Sequence, residues 1–425
     1  MIRNRAFRAA ALLVCAVLLC CACNAAAFLI DTPAMRENAA QGVSMLGGQE
    51  SSPQLIGGFK SAQLDNYTAI LMVKTAAYTG YHTLAEKAFG GYCTEVHPQP
   101  GQSVWDAFST YTPGVPDMNG DVLYTRYWHG YTLPLRLLLC VMNLSNIQMT
   151  LYYVQLALMA VCLMLMARRK LGRLIPGFFT AYFLLCPMAL GVCLQYATAS
   201  VPMLAACCLL LLADETIDRL IGMPAFFALV GLVTNYLDLL TFPLVTLGFP
   251  LVLLLALRLR AGDSFSRLFS AAFFCCAGWG VGVAGMWVCK WLLSALVFGW
   301  GQLGSIVSQI FLRVSTESGG ESFSRIAVLR NNLNVVTGKA AYLLLLGLTG
   351  LAVLAPAGIQ LIRTHRLHID VRALILLMPL LVSLLWYIVM ANHSLDHTYY
   401  TYRGLSVAVL SGYALLGCLF PEEDR

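Results

Sequence analysis

The chain consists largely of long apolar runs that are separated by short charged knots. Hydrophobic residues make up 59% of its 425 residues and charged residues only 11%, whereas a soluble domain carries about 25% charged residues. Many of the runs reach the roughly 20 residues that an α-helix needs to cross a bilayer. We therefore predict an all-α, polytopic transmembrane protein.

The basic residues indicate orientation rather than a nucleic-acid surface. The net charge is +6, but the lysines and arginines lie in knots at the ends of apolar runs, so nucleic acid is not an expected partner. Basic residues beside a span are typical of cytoplasmic segments. Arg3, Arg5 and Arg8 before the first run, and the knot at 168–173, therefore predict a protein of the plasma membrane with both termini in the cytoplasm.

The apolar runs and the charge rule together predict about ten spans. The first is interpreted as an uncleaved helix and not as a signal peptide, because its apolar run is longer than a typical signal core. The predicted spans lie near 8–30, 147–167, 174–193, 196–213, 224–237, 239–257, 268–289, 339–362, 373–391 and 404–420.

A long polar segment after the first span determines the organisation of the chain. We predict a first transmembrane helix over 1–30, an outer loop with juxtamembrane or re-entrant helices over 31–146, a transmembrane bundle over 147–420 and a cytoplasmic tail over 421–425. A second outer loop is expected near 290–338. Its basic residues are Lys290, Arg313, Arg325 and Arg330.

Two parts of the long outer loop have helical patterns of their own. The apolar positions over 66–78 predict a short amphipathic helix. The stretch 127–144 is apolar but contains His129, Pro134 and Arg136, which are costly at the bilayer centre. We therefore expect it to enter the membrane without crossing it.

Under this topology, titratable residues converge at the outer face of the membrane. The candidate catalytic carboxylates are Asp31 and Asp65, although Asp31 could equally cap a helix and Asp65 could form an Asx-turn. The candidates for binding a phosphate-containing donor substrate are Arg126, His129, Lys290 and Arg403. Further candidates are Asp238, His393, His397 and Tyr402.

Simpler explanations compete with several of these assignments. Asp238 lies at a membrane boundary, where a carboxylate needs a partner. His393 and His397 have a spacing that can bind metal, but no third ligand lies near them in sequence. Arg403 could bind a phosphate with its planar fork or extend to the interface from a helix end. Tyr402 fits an interfacial aromatic belt.

The whole arrangement resembles the GT-C superfamily of polytopic membrane glycosyltransferases, in a bacterial branch. The similar short runs are LDNYT at 64–68, RYWHGY at 126–131 and ANHS at 391–394. The resemblance implies that an acidic residue beyond the first helix or in the first loop is the catalytic base or a metal ligand. Asp31 and Asp65 occupy such places. Asp31 stands alone where members commonly have an acidic pair, so a divalent metal ion is left open as a cofactor.

The predicted function is transfer of a sugar from a polyprenyl-(pyro)phosphate donor to an extracytoplasmic glycan, lipid or protein. Such transfer needs a base for the acceptor hydroxyl and cations for the leaving phosphate. Two other classes stay open. One is a transporter or flippase of a lipid-linked intermediate, which the scarcity of mid-depth charges disfavours. The other is a non-catalytic assembly factor for cell-envelope polysaccharide.

Overall fold

The protein is helical almost throughout. A computed structural model describes residues 2–94, 98, 100–110 and 121–420, so the predicted tail at 421–425 lies outside the described residues. The strands in this part form two short antiparallel pairs, β1 (Cys93–Thr94) with β2 (Asp121–Val122) and β3 (Glu317–Ser318) with β4 (Glu321–Ser322). The predicted all-α polytopic class is confirmed.

The helices differ widely in length. In chain order they are α1 (Ile2–Ala27), α2 (Pro33–Gly47), α3 (Asn66–Ala76), α4 (Leu84–Gly90), α5 (Val104–Phe108), α6 (Thr132–Leu139), α7 (Leu144–Arg168), α8 (Ile175–Leu184), α9 (Pro187–Val192), α10 (Leu194–Leu220), α11 (Met223–Leu237), α12 (Leu244–Arg260), α13 (Phe265–Phe298), α14 (Gln302–Val314), α15 (Arg325–Thr337), α16 (Ala340–Thr364), α17 (Leu377–Val389), α18 (Ala391–Asp396), α19 (Thr398–Thr401) and α20 (Leu405–Leu419).

Seven helical segments within the described residues are long and apolar enough to cross a membrane. They are Asn4–Ala27, Leu144–Arg168, Leu194–Leu220, Phe265–Phe298, Ala340–Thr364, Val371–Val389 and Thr398–Leu419. The other three predicted spans are shorter or interrupted. The α11 helix has 15 residues and α12 has 17, and 174–193 is divided into α8 and α9.

The division between α8 and α9 has a local cause. Cys186 adopts a left-handed backbone conformation, with φ of 59°, and Pro187 follows it. Proline lacks the N–H that a continuous helix would use, and its ring disfavours helical backbone in the preceding residue. The expected single span over 174–193 is therefore divided into two short helices at Cys186.

The segment between α1 and α7 covers one end of the bundle, which we call the loop end. Within it, α2, α3 and α6 share an apolar core that includes Met35, Val43, Ile70 and Leu139. The α3 helix matches the amphipathic helix predicted over 66–78. The α6 helix has eight residues and a length of about 12 Å, which is too short to cross a bilayer.

The second predicted loop starts later than its sequence suggested. The α13 helix continues to Phe298, so Lys290 lies inside a helix rather than in a loop. Beyond Phe298, the helices α14 and α15 flank the β3–β4 hairpin. Asn392 binds this hairpin through its side chain, which donates to the carbonyl of Glu317 at 2.8 Å. The hairpin region thus packs against α18 and the start of the last span.

Candidate functional site

A polar cavity of about 400 Å³ lies where the loop helices meet the bundle. We call it the Asp65 cavity. It brings together three of the residues selected from sequence, Asp65, His393 and His397. The complete lining consists of Ser51, Ser52, Asp65, Tyr67, Thr68, Leu71, Tyr124, Tyr127, Gln195, Leu239, Arg313, His393, His397, Tyr399 and Tyr400.

Asp65 is held in the cavity wall by the first turn of α3. It is the N-cap of this helix, so its Oδ1 accepts from the Thr68 N–H at 2.9 Å and its Oδ2 accepts from the Thr68 hydroxyl at 2.8 Å. The Tyr399 hydroxyl donates to Oδ2 at 3.0 Å. Burial raises the pKa of the Asp65 carboxyl above its usual range, and these hydrogen bonds oppose the rise. A carboxylate with a raised pKa is a better proton acceptor near neutral pH.

The two histidines adjoin each other, and their partners determine which ring nitrogens carry protons. His393 Nε2 lies 2.7 Å from the Leu240 carbonyl, which can only accept, so this nitrogen is the donor. His397 Nε2 lies 3.3 Å from Arg313 Nη1, which can only donate, so this nitrogen is the acceptor. The ring centroids are 4.9 Å apart.

Both histidines are held neutral. Burial, the neighbouring imidazole of His397 and the charge of Arg313 lower the pKa of His393 well below its usual range. Burial and Arg313 lower the pKa of His397 to about 4. His393 and His397 therefore form a neutral, polar wall of the cavity and carry no positive charge near pH 7.

The positive charge of the cavity comes from Arg313, which the sequence placed in the second loop without assigning it a role. It lies in the last turn of α14 and is partly buried. Gln309, one helical turn before it, accepts from Arg126 Nη1 at 2.6 Å. Residues four apart share a helix face, so α14 brings Arg313 and the predicted Arg126 to the same side. The polar residues Gln309 and Arg313, separated by the apolar run at 310–312, are the sequence signal for this face.

Asp238 does not line the cavity, but it stabilises a turn that contacts the cavity residue His393. Its carboxylate accepts from the Thr241 N–H at 2.9 Å, from the Thr241 hydroxyl, and from the Thr198 hydroxyl at 3.2 Å. Burial raises its pKa to about 6. The turn that it stabilises contains Leu240, whose carbonyl is the partner of His393. Asp238 thus has the partners that its buried position requires.

Two buried acceptor atoms of cavity residues have no hydrogen-bond partner among the described residues. They are Gln195 Oε1 and His393 Nδ1, and the latter is unprotonated because Nε2 carries the proton. Gln195 and His393 are 3% and 1% exposed. Buried polar groups are normally paired, so both atoms indicate a place where a hydroxyl-bearing ligand or water would complete the structure.

Several other residues selected from sequence lie outside the cavity. Arg403 is fully buried, and its guanidinium donates to the carbonyls of Leu185, Tyr399 and Ser61 at 2.8–2.9 Å. The Tyr402 hydroxyl donates to Leu184 O at 3.0 Å. These bonds connect the start of the last span to the bundle.

Lys290 and Asp31 have different surroundings again. Lys290 is buried against α4, where its ammonium donates to the Phe89 carbonyl. Asp31 is exposed and forms an ion pair of 3.4 Å with Arg36. It does not cap α2, because the N-cap of that helix is Thr32.

His129 links the polar cavity to an apolar one. Its Nε2 donates to the Tyr124 carbonyl at 3.0 Å, so its Nδ1 accepts from the Tyr131 hydroxyl at 2.9 Å. Burial and the charge of Lys290 lower the pKa of His129 to about 3. Tyr124 lines the Asp65 cavity, whereas Tyr131 lines the neighbouring apolar pocket.

This apolar pocket has a volume of about 180 Å³ and lies on the other side of α3. Adjacent residues face the two spaces, with Leu71 and Gln195 in the polar cavity and Met72 and Leu194 in the apolar pocket. The pocket lining consists of Met72, Tyr131, Pro134, Leu135, Leu138, Ile147, Leu151, Leu194, Ala197, Thr198, Val201, Pro202 and Leu237. The two spaces therefore share their walls.

The described residues contain no group of three histidine, cysteine or acidic side chains placed to hold a metal ion. The pair His393 and His397 thus has no third ligand of this kind in the described part of the chain. Comparison of the sequence and structure with protein-family models, curated proteins and solved structures gave no match.

Proposed function

We propose that this protein is an integral membrane glycosyltransferase that moves a sugar from a polyprenyl-linked phosphate donor to a hydroxyl acceptor. The observation that carries the proposal is the shared wall between the Asp65 cavity and the apolar pocket. A polyprenyl-phosphate sugar has a charged, hydroxyl-rich head and an apolar tail, so it needs two such spaces side by side. The polar cavity would hold the sugar and phosphate, and the pocket would hold the first part of the tail.

Arg313 is the proposed phosphate ligand, with Arg126 nearby on the same face of α14. Arginine binds phosphate oxygens with two parallel donors. Arg313 lines the Asp65 cavity, and its Nη1 lies 3.3 Å from His397 Nε2. Arg403, the phosphate ligand expected from sequence, has all three guanidinium nitrogens bonded to backbone carbonyls.

Asp65 is the proposed general base. It would take the proton from the acceptor hydroxyl as that oxygen bonds to the anomeric carbon. The bond from the anomeric carbon to the phosphate oxygen breaks, and the phosphate leaves with the electron pair. Arg313 would stabilise the negative charge that develops on it. The acceptor oxygen, the proton and the leaving group are then all accounted for without a further reactant.

The proposed setting is the plasma membrane, with the loop end outside the cell and both termini in the cytoplasm. The basic knots at the end of the bundle opposite to the loop end support this orientation. The acceptor is then an extracytoplasmic glycan, lipid or protein, and the donor is delivered within the outer leaflet.

The direct test is release of labelled sugar from a panel of polyprenyl-phosphate and polyprenyl-pyrophosphate sugars by the purified protein in lipid-containing detergent. We expect Asp65→Asn to reduce turnover by at least about a hundredfold. Asparagine can still cap α3, so the variant should accumulate and unfold at nearly the wild-type temperature. Asp31→Asn is the matched control, because it makes the same chemical change at an exposed site and should retain activity.

The observation that favours a non-catalytic role is the structural use of Asp65 as a helix cap. An assembly factor that only binds a lipid-linked glycan would need this cap and not its basicity. It would bind the donor without releasing sugar, and Asp65→Asn would preserve its biological activity. Binding without release by wild type, with unchanged complementation by Asp65→Asn, would therefore replace the enzyme proposal with this one.

A further inference from the structure

A second polar cavity, of about 480 Å³, lies at the end of the bundle opposite to the loop end. We call it the Arg258 cavity. Gln195 in the Asp65 cavity and Asp218 in this one are 23 residues apart on α10. The helix is kinked at Ala213, so their separation is at most roughly 34 Å. This separation is close to the roughly 30 Å thickness of the bilayer's hydrocarbon core. The two cavities thus lie about one membrane thickness apart.

The only acidic residue in the described lining of this cavity, Asp218, already has its charge compensated. Its Oδ1 accepts from Arg5 Nη2 at 2.7 Å and from the Met223 N–H at 3.1 Å. Gly222 allows this arrangement, because it has φ of +93° and a Cβ there would collide with the Arg5 guanidinium. The turn between α10 and α11 therefore serves to hold Asp218 against Arg5.

The hydrogen-bond donors in the cavity, unlike Asp218, have no close partner in the described part of the chain. Arg258 Nη2 is 4.0 Å from Asp218 and Arg267 Nη1 is 4.0 Å from Asp263, which is too long for a hydrogen bond. Ser266 and Ser270, both exposed, also line the cavity. No side-chain hydrogen bond is formed by these two arginines or two serines within the described residues. Two arginines and two serines therefore line one space, and their only charged partners among the described residues are carboxylates 4.0 Å away.

We propose that the Arg258 cavity binds the phosphate group of an anionic membrane lipid. Arg5, Arg258 and Arg267 exceed Asp218 and Asp263 by one positive charge, which favours an anion. Phosphate offers several acceptor oxygens, and guanidinium groups are its preferred ligands in proteins.

A lipid is favoured over a soluble phosphate by the apolar part of the cavity wall. Phe274, Ala271 and Met223 line the same space as the arginines, and Phe273 and Phe274 are about half exposed along α13. Basic pockets between transmembrane helices at this depth are suited to lipid head groups. The head group would lie on Arg258 and Arg267, and its acyl chains would follow α13.

The test is equilibrium binding of fluorescent phosphatidylglycerol to the purified full chain in neutral detergent, with phosphatidylcholine as the zwitterionic comparison. We expect preference for phosphatidylglycerol. Arg258→Gln should weaken its binding by about tenfold, the effect of losing one charge-assisted hydrogen bond, and Arg258→Gln with Arg267→Gln should remove the preference. Arg267 is 78% exposed. Weaker phosphatidylglycerol binding by the single variant Arg267→Gln would therefore not be explained by disturbed core packing.

Arg366→Gln is the matched control. Arg366 is exposed, and its loop lies at the same end of the bundle because Arg372 donates to the Asp263 carbonyl at 3.1 Å. This variant should bind phosphatidylglycerol as wild type does. Equal binding by wild type and the double variant would overturn the proposal. Tighter binding of glycerol phosphate than of the lipid, lost in the double variant, would overturn the lipid assignment.

Discussion

The two polar cavities differ in how their charged groups are held. At the loop end, Asp65 accepts three hydrogen bonds and Arg313 donates to His397. At the opposite end, Arg258 and Arg267 have no hydrogen-bond partner among the described residues. A site in which donors and acceptors are fixed in advance is suited to stabilising a transition state, because nothing has to reorganise. A site with unpaired donors is suited to capturing a ligand that brings the acceptors.

The largest effect is expected from the cation of the Asp65 cavity. Arg313→Gln should reduce sugar release by about 10²–10³-fold, because the leaving phosphate loses its charge partner. The measurement is steady-state turnover with the donor that gives release in the wild type. Arg330→Gln is the matched control, since Arg330 is exposed at the same end of the molecule and forms no side-chain hydrogen bond within the described residues. Equal losses in both variants would mean that overall positive charge, and not position, matters.

The next effect concerns the neutral histidine wall and stability in acid. The pKa of His397 is lowered from 6.5 to about 4, so the unfolded chain binds more protons than the folded one between these values. Stability is therefore lost as the pH falls through this window, by up to roughly 3 kcal/mol from this residue. His397→Gln removes the titration and should make thermal unfolding in detergent less dependent on pH between about 6.5 and 4. An unchanged pH dependence would contradict the assignment.

A smaller effect is expected in the apolar pocket. Val201→Phe would occupy part of the 180 Å³ space and should raise KM for a polyprenyl donor by about tenfold, which corresponds to the loss of a few buried methylene groups. The value of kcat should change little. Leu209→Phe on the same helix is the control, because Leu209 is 54% exposed and lies outside the pocket. A similar rise in KM for both variants would place the tail elsewhere.

The smallest expected effect is a difference in stability between variants of two neighbouring residues at the loop end, Asp31 and Thr32. Thr32→Ala removes the cap of α2 and should lower the free energy of unfolding by about 1 kcal/mol. Asp31→Ala removes only an exposed ion pair and should cost less than about 0.5 kcal/mol. The measurement is the unfolding temperature of each variant in the same detergent. A larger loss for Asp31→Ala would assign Asp31 a role that its surroundings do not show.

The features that the sequence predicted correctly are those with local causes. The α3 helix was predicted from the apolar positions within the single short stretch 66–78. The prediction that 127–144 enters the membrane without crossing it also rests on local residues, His129, Pro134 and Arg136, which are costly in lipid. The class of the fold followed in the same way from the lengths of the apolar runs.

The features that were not predicted depend on partners far away in the chain. Arg403 could not be assigned to the core from sequence, because its acceptors are the carbonyls of Ser61 and Leu185, 342 and 218 residues away. The same holds for Arg313, whose position over the cavity depends on His397 in a different segment. The division at Cys186 was the exception, since Pro187 gave a local signal that the prediction of one span over 174–193 did not use.

The division between α8 and α9 also determines which backbone groups the start of the last span binds. A helix that stops leaves its final carbonyls without acceptable donors, and here the carbonyls of Leu184 and Leu185 are taken by Tyr402 and Arg403. The ribosome adds the two accepting residues, Leu184 and Leu185, 218 residues before the donors Tyr402 and Arg403. A chain that ends before Tyr402 therefore lacks the donors for the carbonyls of Leu184 and Leu185, and the end of α8 is completed only when the final segment packs against it.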